Sequence, residues 1–208
     1  MTAQLQSPAS LSAPLSIRKF RVGDGDPGIT ATIKIMQSVV SGKEGIENPY
    51  VRKAALCAVR GTARGMSEIA SIFQWVKDNI EFRGEAAETI QTPLVTLQLG
   101  AGDCDDHSTL LAAMYQSLGY ETRFNTVSTG GDPDEFSHVY VEVQEKTTGR
   151  WLPVDTTVRQ SYPGWTVPHH RMQIRAANPA ALRNRGLFTG LICLGILFAG
   201  GAWLTKNA

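Results

Sequence analysis

The chain has 208 residues, a formal net charge of +1 and a hydrophobic content of 42%. That suits one ordinary domain with short extensions and excludes the strongly basic balance of a nucleic-acid binder. The three cysteines, Cys57, Cys104 and Cys193, lie far apart with no CxxC pair, which excludes a disulfide framework or zinc-finger pattern and points to thiols in a reducing compartment.

Residues 1–20 begin "MTAQLQSPASLSAPLS". There is no basic stretch followed by an apolar run, so the segment does not read as a secretory leader; its Ser, Pro and Ala content predicts a flexible arm. The first helix is predicted in "ITATIKIMQSVVSG", where Ile29, Ile33, Met36 and Val40 share a face and Gly42 can end it. A second fits "NPYVRKAALCAVRG", with Asn48 as cap, Pro49 at the first helical position and Gly61 at the close. Cys57 falls in it among alanines, as a small packing residue. A third fits "MSEIASIFQWVKDNI", with Ile69, Ile72, Phe73, Val76 and Ile80 at helical spacing and Ser67 as the expected cap. "TPLVTLQLGAG" leads into "GDCDDH", and the apolar face of Leu110, Leu111, Met114 and Leu118 places a fourth helix there, ended by Gly119. Cys104 therefore stands at or just before a helix N-terminus.

Beyond Gly119 the period changes. "ETRFNTVS" reads as a strand, "GGDPDE" as a loop, and "SHVYVEVQ" alternates cleanly, with Val139, Val141 and Val143 on one face and His138, Tyr140, Glu142 and Gln144 on the other. "RWLPVD" continues the pattern, and Pro153 suits an edge strand. The segment from "TTVRQSYPGW" onward is rich in turn residues and gives no clear element. Helices followed by a meander of strands predict an α+β domain with an antiparallel sheet, its helical N-terminal half packed on that sheet.

Residues 186–204, "GLFTGLICLGILFAGGAWL", carry no charge and are just long enough to span a bilayer core as a helix of about 1.5 Å rise per residue. Trp203 near one end, the Gly186–Gly190 spacing and the arginines before the segment favour a transmembrane helix with the main domain on the cytoplasmic side. The alternative is an apolar helix buried in an assembly such as a virion. The expected organisation is an arm over 1–20, a domain over 21–175, and a linker with the apolar C-terminal helix over 176–208.

A cysteine nucleophile needs a base, and the base needs an orienting group. His138 is the candidate base because it lies on the strand face away from the valines. If "SHVYVEVQ" and "RWLPVD" form a hairpin with residues 145–148 as a four-residue loop, His138 pairs directly with Asp155. A metal site built from Cys104, His107 and either Asp106 or the His169–His170 pair would draw its ligands from distant places, so no metal and no other cofactor is expected. His107 is expected to cover the helix surface, and His169 and His170 to lie in a solvated loop. Trp75, Trp151 and Trp165 are candidates for a cleft lining or, more commonly, for core. The "GGDPDEF" loop before His138 reads as a gate or as a mobile loop.

Three blocks in this order, "GDCDDHSTLLAAMYQSLGY", "FSHVYVEV" and "RWLPVDTT", resemble the transglutaminase-like cysteine protease superfamily over roughly residues 66 to 160. The likeness is greatest to compact bacterial and phage-type members. It implies a papain-like core with Cys104 as nucleophile, His138 as base and Asp155 as orienting acid. The Cys104 N–H is a natural oxyanion donor, and Gln98 stands at a spacing similar to that of a papain-type oxyanion glutamine; its alternative is a surface glutamine in a loop. The implied activity is thiol-dependent hydrolysis of an amide in a peptide, a protein or peptidoglycan. The same triad could instead serve an acyltransferase of transglutaminase type, or stand idle in a structural module of a membrane or virion held through residues 186–204. No nucleic-acid partner is expected.

Overall fold

In the computed structural model the described residues are 19–21, 25–84, 89–133 and 135–177. Residues 1–18 of the expected arm over 1–20 and the apolar segment 186–204, with the membrane and assembly readings attached to it, lie outside them. Among the described residues no helix is long and apolar enough to cross a membrane.

The elements run β1 (Lys19–Arg21), α1 (Gly25–Ser41), α2 (Pro49–Ala58), α3 (Met66–Asn79), β2 (Glu81–Phe82), β3 (Thr89–Gln91), α4 (Pro93–Leu99), β4 (Ala101–Gly102), α5 (Cys104–Ser117), β5 (Thr122–Ser128), β6 (His138–Gln144), β7 (Trp151–Val154) and β8 (Arg171–Ala176). Helices lead and an antiparallel four-stranded sheet follows, in the order β7-β6-β5-β8. Two small ladders lie in the helical half: β1 with β3, antiparallel, and β2 with β4, parallel.

Local chemistry explains most of the helix boundaries. Asn48 caps α2 by accepting the Tyr50 N–H at 2.9 Å, and Pro49 fills the first position, where its missing N–H costs nothing. The third helix departs from expectation. It begins at Met66, its cap is Gly65 at φ 89°, and Ser67 lies inside it as an exposed residue. A positive φ suits glycine, and the Gly65 N–H is already bonded to Tyr120 Oη at 3.2 Å, so this start is set by a tertiary partner rather than by a side-chain cap.

The short strands β1, β2, β3 and β4, helix α4 and strand β8 were not expected from the sequence, and β1 takes in Lys19 and Phe20 of the expected arm. Helix α4 is short, with Thr92 as cap, Pro93 at its start and Gly100 in the left-handed region at its end. Its residues 93–97 are all buried, so no amphipathic period marks it. Strand β8 pairs with β5 from Ser128↔Arg171 to Arg123↔Ala176. Its Met172 and Ile174 are exposed among arginines, a pattern that reads as turn-rich polar sequence until its partner strand is known. The strand continues past residue 175, and Ala177 is fully buried.

The core gathers around α5. Leu110, Leu111, Ala112, Ala113 and Met114 are at most 1% exposed and meet α1, α2, α3 and α4 on one side and the Val139, Val141, Val143 and Val154 face of the sheet on the other. Burial of each large aliphatic chain contributes about 1.5–3 kcal/mol. Trp75, 2% exposed, is core rather than cleft lining; Trp151 is half-buried with the Arg123 guanidinium 4.4 Å from its ring centroid.

Candidate active site

Cys104 occupies the first position of α5. Asp103 caps the helix, and its N–H donates to Asp106 Oδ2 at 3.3 Å while the Asp106 N–H donates back to Asp103 Oδ1 at 3.5 Å, a reciprocal capping box. Asp106 is fully buried, and its carboxylate also accepts the Gln91 N–H at 2.7 Å and Gln91 Nε2 at 2.6 Å. The helix start is thus fastened to β3 through two hydrogen bonds on the Asp106 carboxylate, which the capping box holds in place. Gly102 is required by this packing: a Cβ there would stand 2.5 Å from Asp106 Cβ and 2.7 Å from its Oδ2. Oxygens of Asp103, Asp105 and Asp106 lie within 4.8 Å of one another. This is a different set from the Cys104–His107 grouping weighed from the sequence.

His138 opens β6, and its Nε2 lies 2.8 Å from Asp155 Oδ2. The imidazole keeps 13% side-chain exposure while the carboxylate keeps 1%, so only the histidine of the pair faces solvent. The route to this pair differs from the expected one. The ladder pairs Val141 with Val154, Glu142 with Pro153, Val143 with Leu152 and Gln144 with Trp151, two residues away from the anticipated register. A two-residue slip leaves every side chain on its face. His138 therefore reaches Asp155 from beyond the end of the ladder instead of from a directly opposed position.

The turn decides the shift. Gly149 takes φ 70° and belongs to the loop, and the Glu145 N–H donates to the Arg150 carbonyl at 2.8 Å, which extends the ladder by a step and moves the loop by one residue. The Glu145 carboxylate accepts the Thr147 N–H at 2.8 Å and the Thr148 N–H at 2.6 Å, and these bonds lower its pKa to about 2. β7 is an edge strand of the sheet, in keeping with Pro153.

Asp155 titrates below its ordinary value. Burial pushes the carboxyl up, but the His138 hydrogen bond and charge, with the Thr157 hydroxyl and N–H bonds, outweigh it. Thr157 donates to Asp155 Oδ1 from its N–H at 3.0 Å and its hydroxyl at 2.7 Å. With Nε2 committed to the carboxylate, His138 Nδ1 is the nitrogen left for other chemistry.

Two contacts bring α5 to these strand ends. The Ser108 hydroxyl, one turn after the cysteine, lies 2.6 Å from the Cys104 carbonyl and 3.2 Å from the Val139 carbonyl, next to His138. His107 Nδ1 lies 2.8 Å from Thr156 Oγ1, next to Asp155. His107 is thus no surface residue: it is 1% exposed, with the Phe82 ring edge-on at 6.3 Å between centroids, because α5 is buried on every side from Asp105 to Tyr115. Burial lowers its pKa against the opposing influence of the Glu81 backbone and the Asp155 and Asp103 charges. Lys77 of α3 donates to the Arg159 and Ser161 carbonyls, each at 2.8 Å, and so supports the loop that follows Asp155.

Gln98 lies on the last turn of α4 and is half-buried, on a helix rather than in a loop. Gln91, which the sequence reading passed over, is the glutamine bonded to the helix start. The 129–137 loop is pinned at both ends by the Ser137 N–H to the Val127 carbonyl at 3.0 Å and the Thr129 N–H to Ser137 Oγ at 3.0 Å. His169 and His170 are exposed, in keeping with a solvated loop. Neither Cys57 nor Cys104 is in a disulfide.

Among solved structures, a candidate protease from Parabacteroides distasonis is similar at a TM-score of 0.52 and 10% identity, with 80% of this chain and 34% of that chain covered. A candidate cysteine protease from Cytophaga hutchinsonii gives a TM-score of 0.47 at 20% identity, covering 74% and 52%. A TGase gives 0.40 at 11%, covering 71% and 36%. The chain thus spans about half or less of the length of these proteins. No curated protein matches the sequence. Residues 54–156, from α2 to the residue after Asp155, match the transglutaminase-like superfamily, and the chain belongs to that superfamily through this core.

Proposed function

We propose that the protein is a thiol-dependent amide hydrolase acting on a peptide or protein substrate through Cys104, His138 and Asp155. The observation that carries the reading is the 2.8 Å His138–Asp155 contact at the strand ends to which the first turn of α5 is hydrogen-bonded. Asp155 holds the imidazole with Nε2 as the proton-bearing nitrogen, so Nδ1 can accept the Cys104 proton. The Cys104 sulfur attacks the amide carbonyl carbon, and the Cys104 N–H at the helix start is a donor for the developing oxyanion. The His138 imidazolium then returns the proton to the leaving amine as the C–N bond breaks. Water, deprotonated by His138, attacks the acyl-thioester, releases the acid and restores the thiol.

The superfamily match supports a thiol enzyme of this general type. An amine entering in place of water would make the same site an acyltransferase. Incubation with a glutamine-containing peptide and a primary amine separates the two: hydrolysis gives a glutamate product and transfer gives the amine adduct, read by mass. The triad itself is tested by alkylation with iodoacetamide, with the modified cysteine mapped by mass. Cys104 is expected to react well below pH 8 in the native protein and to lose that reactivity in His138→Ala. Equal reactivity in the two proteins would sink the enzymatic reading.

A further inference from the structure

We propose that His107 is a positioning residue: through its hydrogen bond to the Thr156 hydroxyl it sets the height of the Asp155–His138 pair relative to the helix that carries Cys104. The proposal rests on the triad reading above.

His107 lies three places after Cys104 on α5, a spacing that puts the two on neighbouring positions of one helix face. A displacement of one by its partner is therefore passed to the other through a single rigid turn. Thr156 is 6% exposed and follows Asp155 directly in the chain. The carboxylate of Asp155 is bonded to Thr157 of its own loop and to His138, contacts that orient it but do not join it to α5. The His107–Thr156 bond does join that loop to α5. On its far side the loop is held by Lys77, and the Ser161 hydroxyl returns to the Asp155 carbonyl. With Ser108 reaching the Val139 carbonyl, the first turn of α5 is fastened beside both members of the pair.

His107 is not a second base. Its Nδ1 is engaged by Thr156, its Nε2 is buried on the side of the Glu81 backbone, and the Phe82 ring stands against it. The groups that bear on its charge are the Glu81 backbone from β2, Asp155 from the loop after β7 and Asp103 from the helix cap, and burial outweighs them in favour of the neutral ring. A hydrophobic residue of similar size would fill the space, so the space alone does not call for histidine; the bond to Thr156 does.

The test uses the full chain and follows the rate of Cys104 alkylation by iodoacetamide from pH 5 to 9, with the fold checked by near-ultraviolet circular dichroism. Thr156→Val, nearly isosteric, and His107→Leu are each expected to lower the rate below pH 7 by about tenfold to a hundredfold, the scale of a misplacement near 1 Å. The profile should move toward that of an isolated thiol, near pH 8.5. Thr156→Ser and His107→Asn, which keep a polar atom within reach, should retain most of the rate. The double variant should lose no more than the worse single one, because the two changes break the same bond. Wild-type rates and profile in Thr156→Val would overturn the proposal even if His107→Leu fails to fold, and so would losses that multiply in the double variant. His138→Ala runs alongside: if it reacts like the wild type, the triad reading itself has failed, whereas loss in His138→Ala with no loss in Thr156→Val removes only the role of His107.

Discussion

Helix α3 keeps Ser67, Gln74 and Asp78 in solvent and buries Ile69, Ile72, Phe73 and Val76, whereas α5 buries every residue from Asp105 to Tyr115, polar ones included. The first is an amphipathic helix whose apolar stripe contributes volume to the core. In the second, Asp106, His107, Ser108 and Thr109 are withdrawn from water and must be compensated by specific partners. Apolar packing tolerates small displacements. A buried hydrogen bond fails within a fraction of an ångström. The difference explains why the candidate nucleophile sits on α5: a helix fastened by Gln91, Thr156 and the Val139 carbonyl has a defined position relative to the sheet.

Substitutions can pull these two kinds of contact apart. The largest effect is expected for Asp155→Asn, which should lower turnover of an amide substrate by about 10^3- to 10^4-fold with the fold retained, since the imidazole loses its orienting carboxylate. Turnover within tenfold of the wild type would break the comparison. Ile72→Ala should do the reverse, lowering unfolding stability by about 2–5 kcal/mol in a denaturant titration while activity per folded molecule stays constant. Gly102→Ala falls between the two. The added methyl meets Asp106, and a cost of about 1–3 kcal/mol should come with slower Cys104 alkylation, because the strain lies under the helix start. Asn48→Ala, on the legible helical side, should cost about 1 kcal/mol through loss of the Tyr50 cap and leave Cys104 reactivity untouched.

The smallest effect is in pH dependence. The folded pKa of His107 is lowered from 6.5, so the unfolded chain binds the proton more readily and stability falls as pH drops below about 6.5 toward the folded value. His107→Gln should flatten that decline in unfolding curves taken between pH 7 and 5. Asp155 acts in a lower window. Its pKa is depressed below 3.8, so its contribution is present above that value and is lost as pH falls through the folded pKa. A decline between pH 7 and 5 that is unchanged in His107→Gln would remove the buried neutral imidazole as its cause.

Much of the fold was legible because apolar periodicity is a local property. Helices α1, α2, α3 and α5 and strands β5, β6 and β7 follow from it, although α1 starts four residues earlier than expected, at Gly25, and α3 has a different cap. Helix α4 was not, since burial on all sides removes the period, and β8 was not, since its meaning lies in its pairing with β5. At the site, residue choice and chain order pointed to Cys104, His138 and Asp155, and the structure brings the last two into hydrogen-bond contact. The expected register did not survive, because the left-handed Gly149 and the Glu145 carboxylate set the hairpin loop. The pair formed all the same, because a two-residue slip preserves the face and the two side chains meet past the end of the ladder.

By itself the sequence determined which residue types are available, which stretches are helix and strand, and which face of each is apolar. These are consequences of backbone period and side-chain size. Tertiary structure alone decided the register of β6 on β7, the burial of His107, the bonding of Gln91 to Asp106 and the reach of Ser108 and His107 to the strand ends. The side-chain bonds among them join residues from 15 to 49 positions apart, and each depends on an angle or distance that no local pattern encodes.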